Sequence, residues 1–312
     1  MIKVISTQFL TSLLPSDSTF KPTENITKYN KKLLISAESG IPHNTSEGLF
    51  ELDIKTNSIK HLFKGNFAGI KKYNNHYYVL NRDFNQLWIL DKQLNQISQL
   101  PLDQFSNIDD LHGIDISNDG YIYIVGTNRN KVLIINQITM QKEAELILTN
   151  EKEDFHHIND ICVTEDSLYL SMFSILDKWK NFDFSDGAIV KFDRRSLLPK
   201  AVVCHGLKAP HSVLISEDNL LFCDSLNLNV SKVNLKSNNI FVVAQFHGFT
   251  RGLFLDNDIL IVGQSNMRHL QQLNNKFNNI SLNAGIHIFD LKSNINQYIK
   301  LPVTNVYSVI PF

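Results

Sequence analysis

The feature that most constrains this chain is a paragraph of sequence that recurs along it. Between Leu111 and Asn136, LHGIDISNDGYIYIVGTNRNKVLIIN, lie three short runs, HGIDIS, YIYIVG and KVLIIN, each apolar or alternating apolar with polar. Gly, Asn or Asp bounds each run, the pattern of antiparallel strands joined by tight turns. The paragraph returns as FAGIKKY, YYVLNR, QLWILD and ISQL before it. After it come INDICVT, SLYLSMF, GAIVKFD and AVVCHG, then PHSVLIS, LLFCDS, NVSKVN and FVVAQF, then TRGLFLD, ILIVGQS, AGIHIFD and NQYIKL.

A four-strand unit repeating at roughly 40–56 residues has the period of a β-propeller. One such sheet cannot bury both faces, but stacked around an axis each covers its neighbour. The first unit offers only KLLISAE, GLFELD and SIKHLF, and the solitary VYSVIPF at the C-terminus supplies its inner strand. The expected fold is therefore all-β: a six-bladed propeller of four antiparallel strands per blade, closed by the C-terminal strand joining the first blade. Residues 1–30 read as a lead-in packed on the propeller, and 31–312 as a single propeller domain.

Two units carry long insertions between their second and third strands, 173–186 and 266–283. The second has Met267, Leu270, Leu273 or Asn274, and Phe277 at near-helical spacing. Both insertions rise on the face where one blade connects to the next, flanking the fifth blade as a candidate lid or as decoration.

Aligning the units on the turn after each inner strand brings Ala68, His112, Asn159, His211, Arg251 and Tyr307 into register at the channel mouth. Asp160 follows Asn159, and His156 and His157 precede it. A channel lining needs only to be small or hydrated, so this set points to chemistry, although any one histidine could instead bond a neighbouring blade. Two chemistries would use it. In the first, His112, His157 and His211 bind a divalent transition metal (zinc, with iron or manganese as alternatives), leaving a coordination position open. Strand alternation admits only one of His156 and His157 to the channel. Arg251 then clamps a carboxylate or phosphate, Asp160 or Asp110 orients a ligand, and Tyr307 exchanges a proton with the substrate. In the second chemistry there is no metal, His112 or His211 is a general base, and Arg251 holds the anion. The second strands end in a further polar set, Ser36 and Glu38, Asn81 and Arg82, Thr127 and Asn128, Ser174, Asp224 and Ser225, and Gln264 and Ser265, in which Asp224 and Gln264 are the substrate-contact candidates beside Asn159 and Arg251. Turn chemistry alone would also place such residues there.

The inner strands HHINDICV, APHSVLI and FTRGLFL resemble those of the six-bladed superfamily that includes the gluconolactonase/senescence-marker and NHL-repeat proteins, over roughly residues 30–312. Within it the chain looks closest to an uncharacterised bacterial propeller family. The resemblance implies the propeller fold, in a superfamily that hosts lactonases, lyases and binding proteins. Of the Glu, Asn and Asp that gluconolactonase-like enzymes place around a calcium-type metal, Asn159 stands at an inner position, with Glu38 a further candidate. A ring of His with Arg and Tyr is more similar to the peptidyl-hydroxyglycine lyase propeller and its histidine-bound zinc, which His112, His211, Arg251 and Tyr307 match in residue type.

The expected function is thus a metal-assisted lyase or hydrolase acting on a small anionic substrate at the channel mouth, with a non-catalytic propeller binding a small ligand or protein partner as the alternative. The aromatics Trp179, Phe182 and Phe184 would supply an apolar patch for such a partner. Thirty basic side chains against 31 acidic ones, with no basic run, argue against nucleic acid or an acidic membrane surface. Cys162, Cys204 and Cys223 each sit in an apolar run, which reads as buried thiols and a reducing, cytoplasmic setting.

Overall fold

Gly, Asn and Asp turns divide the described residues into 24 short strands, numbered β1–β24 in chain order. The computed structural model describes residues 26, 28–38, 47–150, 153–267 and 280–312. The strands form six antiparallel sheets of four, the expected six-bladed propeller. The inner strands are β4 (Phe67–Tyr73), β8 (Leu111–Ile116), β12 (Ile158–Val163), β16 (Pro210–Ser216), β20 (Phe249–Asp256) and β24 (Asn305–Pro311). β24 pairs antiparallel with β1 (Lys32–Glu38), so the last strand of the sequence completes the first blade. All but Ile26 and Lys28–Asn30 of the lead-in, and residues 268–279 of the second insertion, lie outside the described residues. No described helix is long and apolar enough to cross a membrane.

The apolar faces meet between blades. Leu80 and Leu87 of blade two pack with Ile114, Ile124 and Leu133 of blade three, and Ile35 and Phe50 of blade one with Ile261, Ile286 and Ile288 of blade six. Cys204 and Cys223 are buried thiols and Cys162 is partly buried.

One irregularity recurs in every inner strand and builds the channel mouth. β8 pairs with its neighbour at Leu111 and again at Ile114, leaving His112 and Gly113 out of the ladder. The same slip leaves out Ala68 and Gly69 in β4, Asn159 in β12, Arg251 and Gly252 in β20, and Tyr307 in β24. In β16 it leaves out Ser212, just after His211. A bulge bends the strand and re-aims the side chain it carries. Glycine is needed where bulges of adjacent blades touch: a Cβ on Gly113 would stand 2.7 Å from the Asp160 Cα.

Candidate functional site

The ring expected from the sequence forms. His112, Asn159, His211, Arg251 and Tyr307 line both a cavity of about 410 Å³ at the channel mouth and a chamber of about 600 Å³ beneath it. Ala68 is fully buried between blades.

Blades three, four and five hold their ring residues by one shared device. The residue two positions before each, Asp110, His157 and Ala209, has φ of 51°, 48° and 51°, a left-handed conformation that costs non-glycine residues free energy. It turns the backbone carbonyl onto the ring side chain. His112 Nδ1 lies 3.0 Å from the Asp110 carbonyl oxygen, Asn159 Nδ2 donates to that of His157 at 3.0 Å, and His211 Nδ1 lies 2.9 Å from that of Ala209.

This device fixes the histidine tautomers. Thr127 Oγ1 sits 2.8 Å from His112 Nδ1 and donates its single hydrogen to the Ile158 carbonyl at 2.7 Å. Ser225 Oγ repeats the arrangement, 2.8 Å from His211 Nδ1 and donating to Thr250 O at 2.6 Å. A hydroxyl has one hydrogen and a carbonyl none, so each Nδ1 faces two acceptors and must itself carry the proton. Nε2 of both rings is left as a lone pair, bonded to no described protein group. Burial, and then the charges of Arg82 and Arg251 at His112 and of Arg251 at His211, hold both imidazoles well below the usual histidine range and therefore neutral. Between them Asn159, 2% exposed, has a buried Oδ1 with no partner among the described residues. Three successive blades thus present an acceptor at the mouth.

The surroundings are two-sided. Toward blades one to three, Arg82 bridges Glu38 and Asp110. Arg82 Nη1 also donates to the Tyr307 hydroxyl at 2.5 Å, which donates to Glu38 Oε2 at 2.7 Å. The Arg251 guanidinium lies over the Tyr307 ring, 3.6 Å from its centroid. Tyr307, expected to exchange a proton with the substrate, instead has its hydroxyl between an arginine and a carboxylate. Toward blades four and five the wall is aromatic: Phe173, Trp179, Phe184 and Phe249 line the cavity. Met267 and Ile280, on either side of residues 268–279, pack in the same cluster as Phe173 and Phe184 of the first insertion. Of the aromatics expected to form an open patch, Phe184 is buried, and Phe182 stays 60% exposed.

His157, not His156, faces the mouth. Its ring stands 5.8 Å from that of His112, whereas His156 Nδ1 lies 3.1 Å from the Ser174 carbonyl oxygen. The three histidines share the cavity, yet among the described residues no group of three or more His, Cys, Asp or Glu side chains is placed to hold a metal ion. His157 is committed through Nδ1 to Asp154, and arginine side chains stand in the same mouth. His157 Nε2, like those of His112 and His211, is left to the cavity, so the three share a mouth without being gathered as a metal-ligand group among the described residues.

Asp160 lines the chamber below the ring. Burial, reinforced by the nearby Asp115 and opposed by Arg251 and Lys71, pushes its carboxyl up to about 7. Asp224 and Gln264 are not brought to either cavity. Asp224 accepts from the Lys208 amide at 2.7 Å and the Asn227 amide group at 2.7 Å, and Gln264 binds the Asn283 carbonyl at 2.6 Å and His287 at 3.0 Å. Of the strand-end polar set, Glu38, Arg82, Thr127 and Ser225 serve the ring instead. Asp154 was not among the expected residues, because it sits in a connecting loop outside the repeat.

A protein family described as "Domain of unknown function (DUF4915)" matches residues 73–310. No curated protein matches the chain. Among solved structures, a chain of the nidogen/laminin complex superposes with a TM-score of 0.63 at 11% identity, covering 89% of this chain and 97% of that one. A protein of unknown function from Bacteroides caccae superposes with a TM-score of 0.65 at 13% identity, covering 91% and 99%. At these identities the likeness is one of fold.

Proposed function

We propose that this chain, which belongs to the DUF4915 family by its match over residues 73–310, binds a small organic anion bearing hydroxyl or amine groups at the channel mouth and carries out lyase- or hydrolase-type proton chemistry on it. The observation that supports this is the row of acceptors: His112 Nε2, Asn159 Oδ1 and His211 Nε2, each left outward by the same hydrogen bond on its far side. Asn159 Oδ1, buried with no partner among the described residues, costs about 1–3 kcal/mol in that state, which a ligand bringing a donor to it recovers. Arg82, Lys180 and Arg251 against Glu38 and Asp110 leave the lining net cationic, which favours an anion. The aromatic wall suits an apolar or ring face of the same molecule. The resemblance to the gluconolactonase and NHL-repeat superfamily agrees with a ligand at this place without choosing among catalysts and binders.

A second reading retains the metal. An imidazole whose Nδ1–H rests on a carbonyl is oriented as metal-ligating histidines usually are. The donors would then include His112, His211 and Asn159 Oδ1.

Thermal melting with gluconate, citrate, glutamate and inorganic phosphate tests the first reading, and zinc chloride in the same assay tests the second. A ligand at one hundred times its Kd adds about 2.7 kcal/mol, which for a chain of this size raises Tm by roughly 4 °C. The account predicts such a rise with at least one hydroxylated or amino anion, lost in Asn159→Ala and Arg251→Met. No rise with any probe, or the same rise in both variants, contradicts it. A rise with zinc alone favours the metal reading.

A further inference from the structure

The three histidines of the mouth fall into two classes by what their Nδ1 atoms face. Those of His112 and His211 are hydrogen-bonded to neutral oxygens beneath arginine charge, with the Asp110 carboxylate 3.7 Å from His112 Nδ1 and itself bound to Arg82. That of His157 meets a carboxylate: Asp154 Oδ2 lies 2.5 Å from His157 Nδ1, while Asp154 Oδ1 accepts the His157 backbone N–H at 2.8 Å. We propose that His157, oriented by Asp154, is the proton acceptor of this site, with His112 and His211 as binding groups.

The geometry meets what a base requires. Two hydrogen bonds from one carboxylate fix both the backbone and the ring of His157. The left-handed φ of 48° turns its carbonyl to Asn159 Nδ2, so the base and the binding row are set by one turn. The imidazole is packed between Phe173 and Trp179, with centroids at 4.2 and 4.6 Å, and Trp179 is pinned by its Nε1 donating to Phe155 O at 3.0 Å. With Nδ1 on Asp154, Nε2 is the nitrogen left to the cavity that His157 lines. A carboxylate behind Nδ1–H holds the tautomer and stabilises the imidazolium that forms when Nε2 takes a proton. The other charged or titratable groups of the mouth are His112 and Asp110 from blade three, Arg82 from blade two, Glu38 and Tyr307 from blade one, Arg251 from blade six, His211 from blade five, and Lys180 beside Trp179. Lys180 is drawn toward Asp177 at 3.2 Å and Glu153 at 3.8 Å. Asp154 is thus a positioning residue, and His157 the group that would touch the substrate.

This inference rests on the mouth being the site of chemistry, but it can be tested without the natural ligand. The probe is 5-nitrobenzisoxazole, a flat neutral ring that suits the aromatic wall. A base removes its C3 proton, the C–H electron pair becomes the third bond of a nitrile, the ring N–O bond breaks, and 2-cyano-4-nitrophenolate is released. The base then returns its proton to solvent. The wild-type protein is expected to accelerate this elimination, with a rate that rises with pH to a plateau. His157→Gln is expected to lose at least tenfold. Asp154→Asn is expected to lose a similar factor and move the pH midpoint downward, and Asp154→Glu to restore part of both. A merely structural role for Asp154 would lower the rate without moving the midpoint. Wild-type protein no faster than folded His157→Gln, or Asp154→Asn with the wild-type rate and midpoint, would overturn the assignment. Because the probe is neutral, failure here leaves the anion-binding result standing, and failure to bind anions leaves this one standing.

Discussion

Removing residues 305–312 is expected to cost the protein its fold. β24 is the inner strand of blade one and pairs with β1 from Leu33 to Glu38. Val306 and Val309 are buried in the cluster that joins blades one and six, and Ile310 in the cluster that joins blades one and two. Burying each such side chain contributes about 1.5–3 kcal/mol. Tyr307 leaves with them, stripping Arg82 and Glu38 of a shared partner and Arg251 of the ring it lies on. The sum is comparable with the whole stability of a typical domain, about 5–15 kcal/mol. The truncated chain should show no cooperative thermal transition by circular dichroism. A melt within a few degrees of the full chain would mean that the ring does not depend on this closure.

Asp160→Asn is expected to stabilise the protein at pH 8 and leave it nearly unchanged at pH 4. The Asp160 carboxyl titrates near 7 in the folded protein, mainly through burial, against about 3.9 in an unfolded chain. The folded state therefore holds this proton more tightly. Below about 4 both states are protonated and the group has no net effect. From there to about 7 stability falls as pH rises, and above 7 the loss is complete. Three units would correspond to about 4 kcal/mol. Part of Asp160 faces the chamber, so roughly 2 kcal/mol is the expectation at pH 8. Thermal melts of both proteins at pH 4, 6 and 8 should show a gap that opens with pH. A constant gap, or a variant less stable at pH 8, contradicts this account of the carboxyl. A residue whose replacement stabilises a protein marks a site where stability has been given up, as is usual at functional centres.

The blades were legible in the sequence because strand period and turn residues repeat, and the ring because each inner strand reaches its turn after the same length. The bulges left a trace as well, in Gly69, Gly113 and Gly252 directly after ring positions. Sequence could not show which way an imidazole is turned. Counting His112, His157 and His211 shows three imidazoles, and only the Thr127, Ser225 and Asp154 groups at their Nδ1 atoms split them into two kinds. The Glu38–Arg82–Tyr307 contact joins residues 225 and more positions apart across the seam of the ring, and no periodicity points to it. Asp224 and Gln264 looked like Arg82 and Thr127 in the alignment because strand ends share a composition. Only side-chain direction separates a turn residue from a site residue there.

The central claim is that His112 and His211 stand at the mouth as neutral rings protonated on Nδ1, with Nε2 bare for a ligand. Long-range ¹H–¹⁵N correlation of the histidine side chains at pH 7, assigned with His112→Gln and His211→Gln, reads this directly. The account predicts a protonated Nδ1 and a pyridine-like Nε2 for both rings, persisting below the pH at which an ordinary histidine gains its second proton. A proton on Nε2 of either ring, or imidazolium near neutral pH, would contradict it, because the row of acceptors would then not exist.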